Sequence, residues 1–146
     1  MYDRILIPID GSDAAANAIP YALDAAKTYD AGLYTVSVVD TGETDDDGEK
    51  REAMYEEFEK ESKAMVEDVI ERAEREDIRT TAGSIAEGKP HRAIRQYADE
   101  QDIDLIVMGT HGRRGILYPL RRSVTEKVAR WADVPVLMVR LGEDED

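Results

Sequence analysis

The sequence has no cysteine, which excludes a disulfide framework, thiolate chemistry and zinc-finger spacing. Histidine is nearly as scarce, with two residues. Neither has an evident carboxylate partner, so a general acid or base centred on imidazole has little to rest on. Cations are few: 19 Lys and Arg, six of them lysine, face 33 Asp and Glu, for a formal net charge of −14. Such a surface repels polyanions and keeps molecules apart, which argues against generic binding to nucleic acid or anionic membrane. The surplus of acid over lysine suits a high-salt cytoplasm, where mobile ions screen the self-repulsion; an ordinary acidic protein is the competing account. No run approaches the roughly 18 apolar residues of a membrane span, and the start MYDRILIPIDGSD lacks the apolar core of a signal peptide. The expectation is a soluble cytoplasmic protein. Walker A and Rossmann glycine fingerprints are both absent, which disfavours a standard P-loop or dinucleotide site.

What is present fits one domain spanning residues 1–146. Five short apolar runs predict strands: Arg4 to Ile9, Leu33 to Val39, Ile78 to Ile85, Asp104 to Met108 and Pro135 to Leu141. Most are nearly continuous in apolar character, as strands covered on both faces are, so the sheet is expected to be parallel. Four helical segments alternate with them. The first, Asp13 to Tyr29, contains Pro20 and is expected to stop at Gly32. The second, about Glu49 to Glu76, carries a core stripe of Met54, Phe58, Met65, Val66, Val69, Ile70 and Ala73. The third runs from Pro90 to Gln101, with Ala93, Ile94 and Tyr97 inward. The fourth is expected to open at Ser123, with Glu126 completing a capping box.

Alternating strands and helices predict a doubly wound sheet with right-handed crossovers and helices on both faces. Two strand orders are common, 2-1-3-4-5 and 3-2-1-4-5, and in both a ligand binds where the winding reverses, beyond the carboxyl ends of the strands. In the second order the crevice lies between strands one and four. Asp10-Gly11-Ser12 and the stretch GTHGRRGILYPLRRS, residues 109–123, then flank it.

That stretch holds four arginines, three glycines and no acid. It is longer than most strand-to-helix connections in compact domains. Glycines admit close backbone approach, a following helix offers unpaired amides and a positive dipole end, and guanidinium forks match phosphate geometry. Together they make a site for a phosphate-bearing anion inside a negatively charged molecule.

The order Gly109, two residues, Gly112, nine residues, Arg122-Ser123 resembles the G-x2-G-x9-G-[ST] signature of the universal stress protein family, in its ATP-binding branch. The likeness extends through RILIPIDGSD, VSVVD, EGKPHRAI, DLIVMGTHGR and SVTEKVARWADVPVLMV. It implies a 3-2-1-4-5 sheet and a cytoplasmic stress-response protein that binds ATP, with Mg²⁺ or Mn²⁺ on the phosphates, as a regulatory ligand. It also implies that Pro8, Asp10 and Val38 frame adenine and ribose. Gly109, Gly112 and Arg113 would follow the phosphates, and Ser123, Val124 and Thr125 would complete the cradle through amides and hydroxyls. The final glycine of the signature is Arg122 here. A side chain there either blocks a phosphate or replaces amide contacts with charge.

Plainer roles stand beside these. Ser123 is fully explained as an N-cap, worth about 1 kcal/mol, and Asp10 as a turn residue. His111 is a loop residue or a phosphate donor, ahead of a general acid or metal ligand; His91 is a surface residue at a helix start, and Trp131 part of the core, ahead of a subunit contact. Thr41 to Glu49 reads as a solvated acidic loop, ahead of a weak divalent-cation site. The fifth strand is expected at a sheet edge, and a second copy pairing there satisfies it, ahead of cover by loops or the charged tail; the resemblance likewise implies antiparallel dimers through that strand. Beside the dimeric ATP-binding module stand a slow ATPase or autophosphorylating enzyme, acting at Ser123 or Thr125, and a nucleotide-free dimeric scaffold.

Overall fold

A computed structural model describes residues 1–40, 48–79, 81–110 and 119–141, with side chains from residue 52 in the second helix and from residue 124 in the last. The elements are β1 (Arg4–Ile9), α1 (Asp13–Tyr29), β2 (Gly32–Val39), α2 (Gly48–Arg75), β3 (Thr81–Glu87), α3 (Pro90–Glu100), β4 (Leu105–Thr110), α4 (Pro119–Trp131) and β5 (Val136–Arg140). The strands are all parallel and lie in the order β3-β2-β1-β4-β5.

Period-two alternation along the strands divides the core into two layers. Ile5, Ile7, Ile9, Leu33 and Val107 pack against Ala18, Ala22 and Leu23 of α1 and against Val66, Val69 and Ala73 of α2. Leu6, Tyr34, Val36, Ile106 and Met108 face the other way, onto Ile94 and Tyr97 of α3 and Val128 of α4. Central strands buried from both sides are what the continuous apolar runs require. α2 lies so close to β3 that a Cβ on Gly83 would land on Val66.

Several boundaries differ from the sequence expectation. Three helices end in one way: an aspartate adopts a left-handed conformation, and the apolar residue after it turns back into the core. These are Asp30 (φ 53), Asp77 (φ 62) and Asp102 (φ 55). The amides of Ala31, Ile78 and Ile103 then donate to the carbonyls of Ala26, Ala73 and Ala98, a Schellman-type closure. Gly32 is therefore not the stop of α1 but the first residue of β2. Ile78 anchors the end of α2, and β3 starts at Thr81. α1 runs unbroken through Pro20, which lies on its exposed side, where water can serve the carbonyl of Ala16.

The stripe on α2 is core only from Ser62 onward, because Met54 and Phe58 are 39% and 42% exposed. A helix of 28 residues is about 42 Å long, whereas β3, at 7 residues, spans about 23 Å. The first turns of α2 overhang the sheet. Trp131 is 55% exposed rather than core, being the last residue of α4 beside the sheet edge.

Candidate functional site

At the switch point of the sheet the β1–β4 ladder stops short, and the cause lies in β1. The carbonyls of Asp3 and Ile7 accept from Gly32 N and Thr35 Oγ1 of β2, while that of Arg4 accepts from Asp104 N on the β4 side. Alternation therefore turns the polar groups of Arg4, Leu6 and Pro8 toward β4. β1 and β4 are in register at Ile5–Leu105 and Leu6–Ile106. The next rung of a parallel ladder needs an amide hydrogen from residue 8, and proline has none. Among the described residues the pairing ends there, although β1 pairs with β2 through Ile9–Ser37 and β4 with β5 through Thr110–Arg140. The hydrogen-bonded ladder between the two central strands is thus shorter at its carboxyl end than those on either side of it.

The turn after β1 is built by local hydrogen bonds. Ser12 N donates to Asp10 Oδ1 at 2.9 Å, and the Ser12 hydroxyl accepts from Ala15 N at 3.1 Å as N-cap of α1. Gly11 has φ +80, a conformation that favours glycine. Met65 of α2 covers the turn, its sulfur 3.1 Å from where a Gly11 Cβ would stand. Sequence periodicity placed Met65 in a core stripe; that it rests on a turn more than fifty positions earlier is visible only in three dimensions.

On the β4 side, Gly109 lies within the strand and against α1. A Cβ there would strike the carbonyl of Ala14, so the absent side chain is accounted for by helix–strand packing. The buried Thr125 donates from Oγ1 to the Gly109 carbonyl at 3.0 Å and ties α4 to β4. Val38, half-buried, lies near the end of β2 opposite Ala86 of β3. Pro8, Asp10 and Gly109 thus lie at the carboxyl ends of the neighbouring strands β1 and β4, with Thr125 bonded to Gly109 and Val38 on the next strand, β2. Val124 is half-buried at the rim of the α3–α4 core layer.

Gly112, Arg113 and His111 lie outside the described residues, as does most of the acidic segment from Thr41 to Glu49. Arg122 and Ser123 are placed as backbone of α4, their side chains outside the description. α4 begins at Pro119, a residue suited to a first helical position. Ser123 is then the fifth residue of the helix and not its N-cap. The amides of Ser123, Val124 and Thr125 fall beyond the first four, which alone lack intrahelical partners. The capping-box expectation failed because Pro119 is an equally good start signal, one turn earlier. Among the described residues no group of three or more His, Asp or Glu is placed to hold a metal ion, and no helix is long and apolar enough to cross a membrane.

Residues 1–140 match the model of the universal stress protein family. The universal stress protein MJ0531 of Methanocaldococcus jannaschii is 34% identical over 148 residues, covering 99% of this chain and 86% of its own. The solved structure of MJ0577 from the same organism is 28% identical with a TM-score of 0.83, covering 99% of each chain. A universal stress protein solved in complex with cAMP is 25% identical with a TM-score of 0.68, over 95% of this chain and 97% of that one.

Proposed function

We propose, from the premise that this chain belongs to the universal stress protein family, that its crevice binds ATP as a regulatory ligand and that the chain acts as a dimeric binding module. The observation that supports this reading is the end of the β1–β4 ladder at Pro8, at the point where the strand order reverses, with Asp10 following β1 and Gly109 near the end of β4. A carboxylate such as Asp10 suits ribose hydroxyls, and Val38 an adenine face. The glycine and arginine stretch from Gly109 to Ser123 supplies positive charge for the phosphates, with Gly112, Arg113 and Arg122 in it and Mg²⁺ or Mn²⁺ as counter-ion. The proton of Thr125 is engaged by Gly109, so Thr125 acts by holding α4 against β4.

The dimer rests on the edge strand β5, where Leu137 and Met138 are 45% and 50% exposed. Exposed Trp131 flanks it from α4. Exposed Tyr21 stands one turn beyond Asn17, whose side-chain amide donates to the Arg140 carbonyl. Apolar side chains thus border, on both faces, a strand edge that is unpaired among the described residues, a surface that a second copy covers.

Thermal unfolding with magnesium ATP tests the ligand. At a hundred times its dissociation constant ATP stabilises by about 2.7 kcal/mol, which for a chain of this size raises Tm by about 5–10 °C. Asp10→Ala and Arg113→Ala should reduce the shift. An unchanged Tm at millimolar ATP rejects the reading, and a shift that appears only in Arg122→Gly assigns the natural chain to a nucleotide-free scaffold. Mass spectrometry of the denatured, purified protein identifies any nucleotide carried from the cell.

A further inference from the structure

Charge is divided across the sheet. On one face α1 and α2 carry two and ten Asp or Glu against one and six Lys or Arg. On the other, α3 and α4 carry two and one acids against two and four cations, and Lys89 adds another as the N-cap of α3. An acidic chain therefore has one helical layer in which cations outnumber acids two to one.

Five of these cations form two rows. Lys89, Arg92 and Arg95 follow one another at a spacing of three along α3, and Lys127 and Arg130 do so on α4, a spacing that keeps side chains on neighbouring parts of a helix face. α3 and α4 lie side by side over one core layer. Arg95 lines a shallow cavity together with Asp99, Ala132, Asp133 and Val134, which sets the end of α3 level with the end of α4. All five cations are exposed. The ion pairs Lys27–Glu76 and Arg79–Asp30 lie elsewhere. Half-buried His91 lies among the cations: burial lowers its pKa first, and then Lys127, Arg92, Lys89 and Arg95 in turn.

A surface shaped only for solubility intersperses the two signs. Here cations are in excess on one face, with Glu126, Asp99 and Asp133 beside the rows, although the molecule as a whole has an excess of acid. We propose that the exposed face of α3 and α4 docks an acidic peptide segment of a partner protein, with its carboxylates matched to the two rows. Lys89 to Arg95 extends about 9 Å along α3, and α4 adds a second row, which fits an extended chain of carboxylates better than one compact anion. A nucleic acid long enough to run past the rows would meet the rest of a molecule with a net charge of −14. The proposal does not depend on nucleotide binding.

Fluorescence anisotropy with a labelled decaglutamate peptide tests it, at about 0.1 M salt where charges act over about 10 Å, and again at about 1 M where they act over about 3 Å. Binding is expected at the lower salt and lost at the higher. Arg92→Glu with Lys127→Glu should weaken it about tenfold or more. Lys60→Glu with Lys63→Glu on α2, an equal change in net charge, should leave it within about twofold. The single variants Arg92→Glu and Lys127→Glu give the same direction should the double variant unfold. Absence of binding to the natural chain overturns the proposal, as does equal weakening in both double variants. Tighter binding of a labelled oligothymidylate of the same length also overturns it, by assigning the face to nucleic acid.

Discussion

Pro8 does two things that pull against each other in a central strand: it fills the core and it withholds a rung from the β1–β4 ladder. Pro8→Ala restores the missing donor. The strands are then expected to zip one step further, so that the new amide at position 8 is protected in hydrogen exchange and the response to ATP is weaker. Free exchange of that amide would mean that something other than proline ends the ladder. Gly109 is constrained from the opposite side, since a methyl group there meets backbone rather than a movable side chain. Gly109→Ala should destabilise by about 3 kcal/mol, at the upper end of overpacking costs, read from urea unfolding with an unchanged slope. Loss of ATP binding in that variant would not by itself mark a phosphate contact. His91 carries a pH signature. Its folded pKa lies below the ordinary 6.5, first through burial and then through the cations around it. As pH falls below that value the unfolded chain takes up the proton first, so stability present above it is lost toward the folded pKa. An NMR titration should place His91 below 6.5 and move it upward in Lys127→Glu.

Helices α1, α2 and α3 each close through an aspartate at positive φ followed by an apolar anchor, although glycine is the commoner residue at such a position. Aspartate tolerates the left-handed region at some cost. Asp77→Gly should therefore raise stability by up to about 1 kcal/mol, seen as a higher urea midpoint; a lower midpoint would show that the Asp77 side chain contributes more than its conformation costs. This same closure explains why the boundary of β3 was misplaced from sequence. Ile78 is apolar, β-branched and close to a strand, yet its amide completes α2. The bounds of the first strand and of the first helix, by contrast, were legible to the residue, although the device that stops α1 is Asp30 and not Gly32. The start of α4 was not, since Pro119 and Ser123 each carry a start signal and only the packing of the helix chooses between them.

For the assembled domain, the acidic surface and the bare β5 edge oppose each other. Net charge of −14 keeps copies apart, while an unpaired strand bordered by Tyr21, Trp131, Leu137 and Met138 draws them together. The proposed dimer should therefore tighten with added salt, which screens the repulsion and strengthens apolar burial. Leu137→Lys with Met138→Lys is expected to give a monomer by sedimentation at every salt concentration, with the fold retained because both side chains are about half exposed at the sheet edge. A natural chain that sediments as a monomer at high salt would contradict the pairing.

Composition and periodicity were enough to settle the number and kind of elements and the two-sided burial of the sheet, because these follow from local patterns of apolar and charged residues. The candidate site was legible as a set of chain positions, Asp10 and Gly109 among them, but not as an arrangement. That Gly109 yields to Ala14, that Met65 covers Gly11, that Pro8 faces β4 rather than β2, and that the cations of α3 and α4 share a face all depend on which segments lie side by side. Such neighbours are distant in the chain, and short-range patterning carries no information about them; they are chosen by the packing of two helical layers on a twisted sheet.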